Sequence, residues 1–243
     1  MSAQGIEAQD RFLGKGVPTS EFDGDDGLPL PGIAEALAAW AQGGSDKYAT
    51  TNALRPSRLF VPVTAVLDSA ETNESGHEVE KDSHIASISL QLPDGRKAML
   101  AFTSIPAMLA WSTTVRPVPA TARNVAAAAL VEAADVLAVD VGSERPLPIE
   151  TAGLLALAED RDWIVPVADP VVISELTAIL TPIGEEHACQ FEVSAPTDPS
   201  YDVDLTVVGP DASEAAKQVV VLLAQSALLR QRMTGGVRLS VRT

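Results

Sequence analysis

Residues 85–92 alternate without a break: Ile85, Ser87, Ser89 and Gln91 on one side, Ala86, Ile88, Leu90 and Leu92 on the other. A strand, whose successive side chains point to opposite faces, is the element with that two-residue period. Pro93-Asp-Gly-Arg96 follows as a turn signal, and Lys97–Phe102 returns as the second arm of a hairpin. The chain must therefore build a sheet. Segments of helical period on either side exclude an all-β fold. Ile33, Leu37 and Trp40 give a short amphipathic helix over Ile33–Ala41, stopped by Gly43-Gly44.

The rest of the chain reads in the same way. Arg58–Leu67 predicts a strand. Ser104 is an N-cap, with Pro106 tolerated in the first turn of a helix through Trp111. Arg116-Pro-Val-Pro119 is extended, since residues before proline avoid the helical region. Thr121 caps an alanine-rich helix to about Ala134. Val136–Asp140 and Leu147–Glu150 read as strands, and Thr151–Glu159 as a helix. Asp169-Pro170 starts a helix to Leu180. Cys189–Ala195 and Asp202–Val208 alternate as strands. Asp211-Ala-Ser-Glu214 resembles a capping box and opens the longest helix, to about Met233. Gly235-Gly236 stops it, and Val237–Val241 closes the chain as a strand.

The expected fold is α+β, in two small mixed units. Residues 1–45 form an acidic, flexible lead-in with one short helix. Residues 46–158 form a sheet with helices on one face. A seam at Asp160–Asp169 leads to a C-terminal α-β-β-α-β unit over 165–243. The length, 243 residues, suits one large or two modest domains.

Charge excludes whole classes of partner. Lys and Arg total 17 against 33 Asp and Glu, a net −16. A nucleic-acid binder needs a basic face, and an anionic membrane repels such a chain, so neither is an expected partner. The N-terminus lacks the apolar run of a signal peptide, and no apolar stretch approaches a membrane span, so the expected location is cytoplasmic.

The reactive inventory is thin. Cys189, the one cysteine, sits on a predicted strand and reads as a small buried hydrophobe. Neither Ser104 nor Ser174 stands in a nucleophile elbow, and no phosphate-binding glycine loop is present. Glu21–Gly27 fails the ligand spacing of a calcium loop. His77 and His84 flank Glu78, Glu80 and Asp82 in the acidic stretch Asp68–Asp82, but match no closed metal site. That stretch reads as an exposed loop. No cofactor, metal or catalytic residue is expected.

The order of landmarks resembles the SseB protein N-terminal-domain family, in its actinobacterial form, over about residues 22–158. The landmarks are Asp25-Asp26-Gly27, Arg58-Leu-Phe-Val-Pro-Val63, Glu80-Lys81-Asp82, Leu92-Pro-Asp-Gly-Arg96, Phe102-Thr-Ser104, Trp111, Arg116-Pro-Val-Pro119 and Asp140. One departure is Ala98-Met-Leu-Ala-Phe102, where the family has a Leu-Pro pair before the phenylalanine. The resemblance implies a cytoplasmic α/β module without assigned catalytic residues.

Two places suggest interaction. Trp111 with Arg116 resembles an exposed anchor. In the second, Arg230, Arg232, Arg238 and Arg242 fall within fourteen residues that hold no acid. On the helix before them, Val219, Leu222, Leu223 and Ser226 share the core face, while Leu228 and Leu229 widen the apolar stripe beside Arg230 and Arg232. The expected function is non-enzymatic, through a protein partner or self-association. The alternative is a small-ligand binder or enzyme with its site in the seam.

Overall fold

The structure is a computed structural model that describes residue 22 and residues 24–66, 84–198 and 200–243. The fold is α+β. The acidic stretch Asp68–Asp82, with His77, and residues 1–21 and 23 of the lead-in lie outside the described residues.

Helix α1 (Pro31–Ala41) opens the described chain, with Pro31 at its first position and Ile33 and Trp40 buried. A clasp holds it down. Trp40 Nε1 donates to the Arg145 carbonyl, the Arg145 guanidinium donates to the Trp40 carbonyl, and that cation lies 3.7 Å from the indole centroid. Helix α2 (Lys47–Ala53), unforeseen in the sequence, is capped by the Asp46 carboxylate.

Strand β1 (Arg58–Val66) lies between β2 (His84–Ser87) and β5 (Arg116–Thr121) in one three-stranded sheet. A four-stranded sheet runs in the order β3 (Ser89–Gln91), β4 (Lys97–Ala101), β6 (Val136–Val139), β7 (Leu147–Glu150). The single strand expected over 85–92 is therefore two. Ile88 marks the switch, donating to Pro62 of one sheet and accepting from Leu100 of the other. Beyond it, the Leu92–Arg96 turn is as expected, with Gly95 at φ +87°.

Period-two alternation divides the core. Leu59, Val61, Met99, Leu137 and Ile149 face α1, α4 (Ala122–Val131) and α5 (Thr151–Ala158). Phe60, Leu100 and Phe102 point the other way, toward Met108 of α3 (Ile105–Trp111). Helices on one face describes α1, α4 and α5. Helix α3 sits on the opposite face, because Leu100 and Phe102 need a cover of their own.

The C-terminal residues form a separate sheet, β10 (Val237–Arg242), β9 (Val203–Val208), β8 (Gln190–Ser194), in that order. Strands β8 and β9 are antiparallel, and β9 and β10 parallel. Val203, Leu205 and Val207 turn toward α6 (Pro170–His187) and α7 (Ala212–Gln225). Helix α6 runs past the expected stop at Leu180, through Pro182, to bury Ile183. Packing outweighs the bond that proline loses.

The helix expected from Asp211 to Met233 breaks at Ser226, and α8 (Ala227–Arg232) follows. Asp211 makes no side-chain cap, so the capping box does not form. Instead its carbonyl accepts from Glu214 N, and the Glu214 carboxylate turns to Lys217.

Candidate interaction surface

Ser226 shapes the first feature. Its backbone is extended, and its hydroxyl both accepts from Leu229 N at 3.2 Å and donates to Glu175 Oε1 at 2.7 Å. The break turns α8 back toward the sheet, so Leu229 and Met233 become buried. An apolar groove of about 250 Å³ remains between α7, α8 and β10, lined among others by Val220, Leu223, Leu229, Val237 and Leu239. Val220 and its neighbour Val221 are each 54% exposed, and Val241 is 45% exposed. Among the described residues, strand β10 is an edge, with a neighbour on one side only.

The four arginines part company here. Arg232 turns inward and donates to Asp169 at 2.6 Å. Asp169 is itself buried and caps α6 through Val171 N. Arg238 bonds Asp204 and Thr197 on the helix-free face of the sheet. Arg242 stands 3.4 Å from Glu192, both well exposed. Arg230, on the groove wall, donates to its own Ala224 carbonyl and meets no carboxylate among the described residues.

Two expectations change accordingly. Leu228 and Leu229 pack against the C-terminal core rather than widening an outer stripe, since the break at Ser226 rotates them. Arg232 belongs to a partly buried ion pair, not to a rim. Of the four residues expected here, Arg230 alone faces out from the groove. The outward apolar residues, Val220 and Val221, were missed. They follow Val219 in one unbroken valine run, which hides which of them faces out.

Trp111 and Arg116 lie elsewhere. The Trp111 ring packs on Phe102, with centroids 5.5 Å apart, and Gly142 closes over its Cβ. Arg116 is exposed at the start of β5 and has no ion-pair partner among the described residues. The structure does not bring either to the groove.

Two polar clusters compete as candidate sites, and in both the charged groups pair with one another. In the first, buried Arg58 grips Asp25 through two bonds of 2.7 Å, donates to the carbonyls of Thr103 and Leu28, and stacks on Phe60. Those bonds hold the Asp25 carboxyl below the usual range. Thr103 in turn donates from its amide and hydroxyl to both oxygens of buried Asp140. Burial raises the Asp140 carboxyl above its ordinary range, against the pull of those two bonds. A Cβ on Gly27 would stand 2.8 Å from Ile105 Cδ1, so the lead-in lies flat here. Four separated landmarks, Asp25, Arg58, Thr103 and Asp140, are thus one network.

The second cluster is the seam. Lys47 pairs with Glu150 at 2.7 Å and lies over the rings of Tyr48 and Trp163. Tyr48 reaches Asp202 at 3.5 Å, and Asp202 accepts from Gly235 N and Gly236 N. Burial, with Asp202 and Glu150 close by, pushes the Tyr48 hydroxyl far up. Burial also raises Asp202, against the Gly235 amide and Lys47. Each charge has a partner, so the cluster is a clasp, and α2, which supplies half of it, was not foreseen.

Cys189 is buried and its thiol donates to the His187 carbonyl. Among the described residues no group of three or more His, Cys, Asp or Glu is placed to hold a metal, and no helix is long and apolar enough to cross a membrane. A family model described as SseB protein N-terminal domain matches residues 33–156, starting inside the expected 22–158 at the first buried residue of α1. No curated protein and no solved structure matches the chain.

Proposed function

The chain belongs to the SseB family, and from that premise we propose that it is a non-enzymatic cytoplasmic protein acting by protein–protein contact. In this reading residues 46–158 and 165–243 are separate units, and the groove of α7, α8 and β10 is the contact surface. One observation carries it: an apolar groove borders half-exposed valines and a strand that, among the described residues, pairs on one side only. Exposed apolar area next to open backbone groups is what a partner covers. The seam is the weaker candidate, because Lys47, Glu150, Tyr48 and Asp202 already bond one another.

The test is affinity capture from native cytoplasm with the wild-type chain and with Val220→Glu. Partners held by wild type and lost by the variant, at an unchanged melting temperature, support the reading. A variant that retains every captured protein overturns it.

A further inference from the structure

We propose that the partner element is an extended segment that joins β10 as a fourth strand, with apolar and acidic side chains alternating. This rests on reading the groove as a contact surface and adds the mode and chemistry of contact.

The backbone supplies the first reason. The carbonyls of Gly236 and Arg242 face β9, accepting from Asp202 N and Gly209 N. Successive residues of a strand turn their amides to alternate sides. The amides and carbonyls of Val237, Leu239 and Val241 therefore face the side on which no described strand lies. Six residues, Val237–Arg242, offer about 20 Å of ladder, an ordinary strand length. Strand addition uses such an edge, with main-chain bonds for affinity and alternate side chains for specificity.

The groove supplies the second. Val237 and Leu239 line its floor, and Val220 and Leu223 its helical wall. It prolongs the core face of the sheet past β10. Every second side chain of an added strand enters it, and those side chains must be apolar.

Charge supplies the third. The side chains between, on the helix-free face, lie beside Arg238 and Arg242. The pairing of Arg242 with Glu192 is exposed on both sides and readily exchanged. Acidic residues at those positions of the incoming strand complement Arg238 and Arg242. A second copy of β10 would bring arginines to arginines instead, which disfavours self-pairing.

The test titrates the full chain with two labelled octapeptides, one alternating valine with glutamate and one valine with lysine, followed by fluorescence anisotropy. The glutamate peptide is expected to bind at least about tenfold tighter, and to weaken with added salt. Val241→Pro deletes an amide on the free side and leaves the ladder to β9 intact, so it abolishes binding at near-wild-type melting temperature. Val241→Thr, which keeps the amide, binds as wild type. Val220→Glu, outside the strand, also loses the peptide.

Equal affinity for the two peptides, or undiminished binding by Val241→Pro, overturns the proposal. So does a dimer in sedimentation that Val241→Pro dissociates, which would give the edge to a second copy. If the glutamate peptide does not bind while Val220→Glu still loses captured partners, the acidic strand falls and the contact surface stands.

Discussion

Arg58 and Arg230 carry the same charge into opposite surroundings. Around Arg58, the lead-in at Asp25 and Leu28 and the chain at Thr103 converge, and each nitrogen of the guanidinium meets a fixed acceptor. The sheet beneath has helices on both faces. Around Arg230, one face of a three-stranded sheet is covered, its edge strand has no second neighbour among the described residues, and the guanidinium donates to a carbonyl at the end of α7. The difference separates a closed polar network from an exposed apolar groove. Within the region that the family model matches, Arg58 is held by fixed acceptors, while Arg230 lies beyond that region on an exposed groove wall. In the proposed reading, the stretch that identifies the family is not the stretch that offers a contact.

The contrast breaks first at Arg58. Removing a buried cation strands Asp25 and two carbonyls, so Arg58→Ala is expected to cost about 3 kcal/mol in urea unfolding. A loss below about 1 kcal/mol would put the network on the same footing as the surface. Next comes the pair of arginines on α8. Arg232→Ala leaves buried Asp169 without its cation and is expected to cost about 2 kcal/mol, against less than about 0.5 kcal/mol for Arg230→Ala. Equal costs would make Arg230 structural and remove it from the contact surface.

A smaller loss, about 1 kcal/mol, is expected for Ser226→Ala, which deletes the cap of α8 and the bond to Glu175. The groove should loosen with it, read as faster proteolysis after Arg230 and Arg232. No loosening would mean that packing of Leu229 alone sets the break.

The smallest effect is one of pH. Burial raises the folded-state pKa of Asp140, so the folded chain holds its proton more tightly than the unfolded one. Its contribution is full below the ordinary carboxylate range and is lost as pH rises through the raised value. Asp140→Asn keeps an acceptor for Thr103 and removes that loss. The variant's stability relative to wild type should climb as pH rises from about 4. A constant difference would show that Asp140 ionises as it does in the unfolded chain.

Local signals explain what the sequence allowed to be read. Ser104, Thr121 and Asp169 cap the helices assigned to them, because a side-chain acceptor three or fewer residues from its amide needs no tertiary help. What failed depends on distant partners. Ser226 inside an apolar helix is unremarkable until Glu175 arrives from α6 to fix its hydroxyl. Pro182 reads as a stop until Ile183 finds the core. The strand over 85–92 has an unbroken period, yet β1 and β4 lay claim to it at either side of Ile88. Of the candidate residues at 228–232, the break at Ser226 turns Leu229 and Arg232 inward and leaves Arg230 exposed, and no local signal in the sequence announces that break.

Asp202 stands where the start of β9, the glycine turn into β10 and the tyrosine of α2 meet. One carboxylate thus indexes the edge strand to the other half of the molecule. The amide protons it accepts, those of Gly235 and Gly236, are expected to exchange with deuterium more slowly than free amides, because the joint must open to release them. Loss of that protection on Asp202→Ala would place the restraint on this one carboxylate.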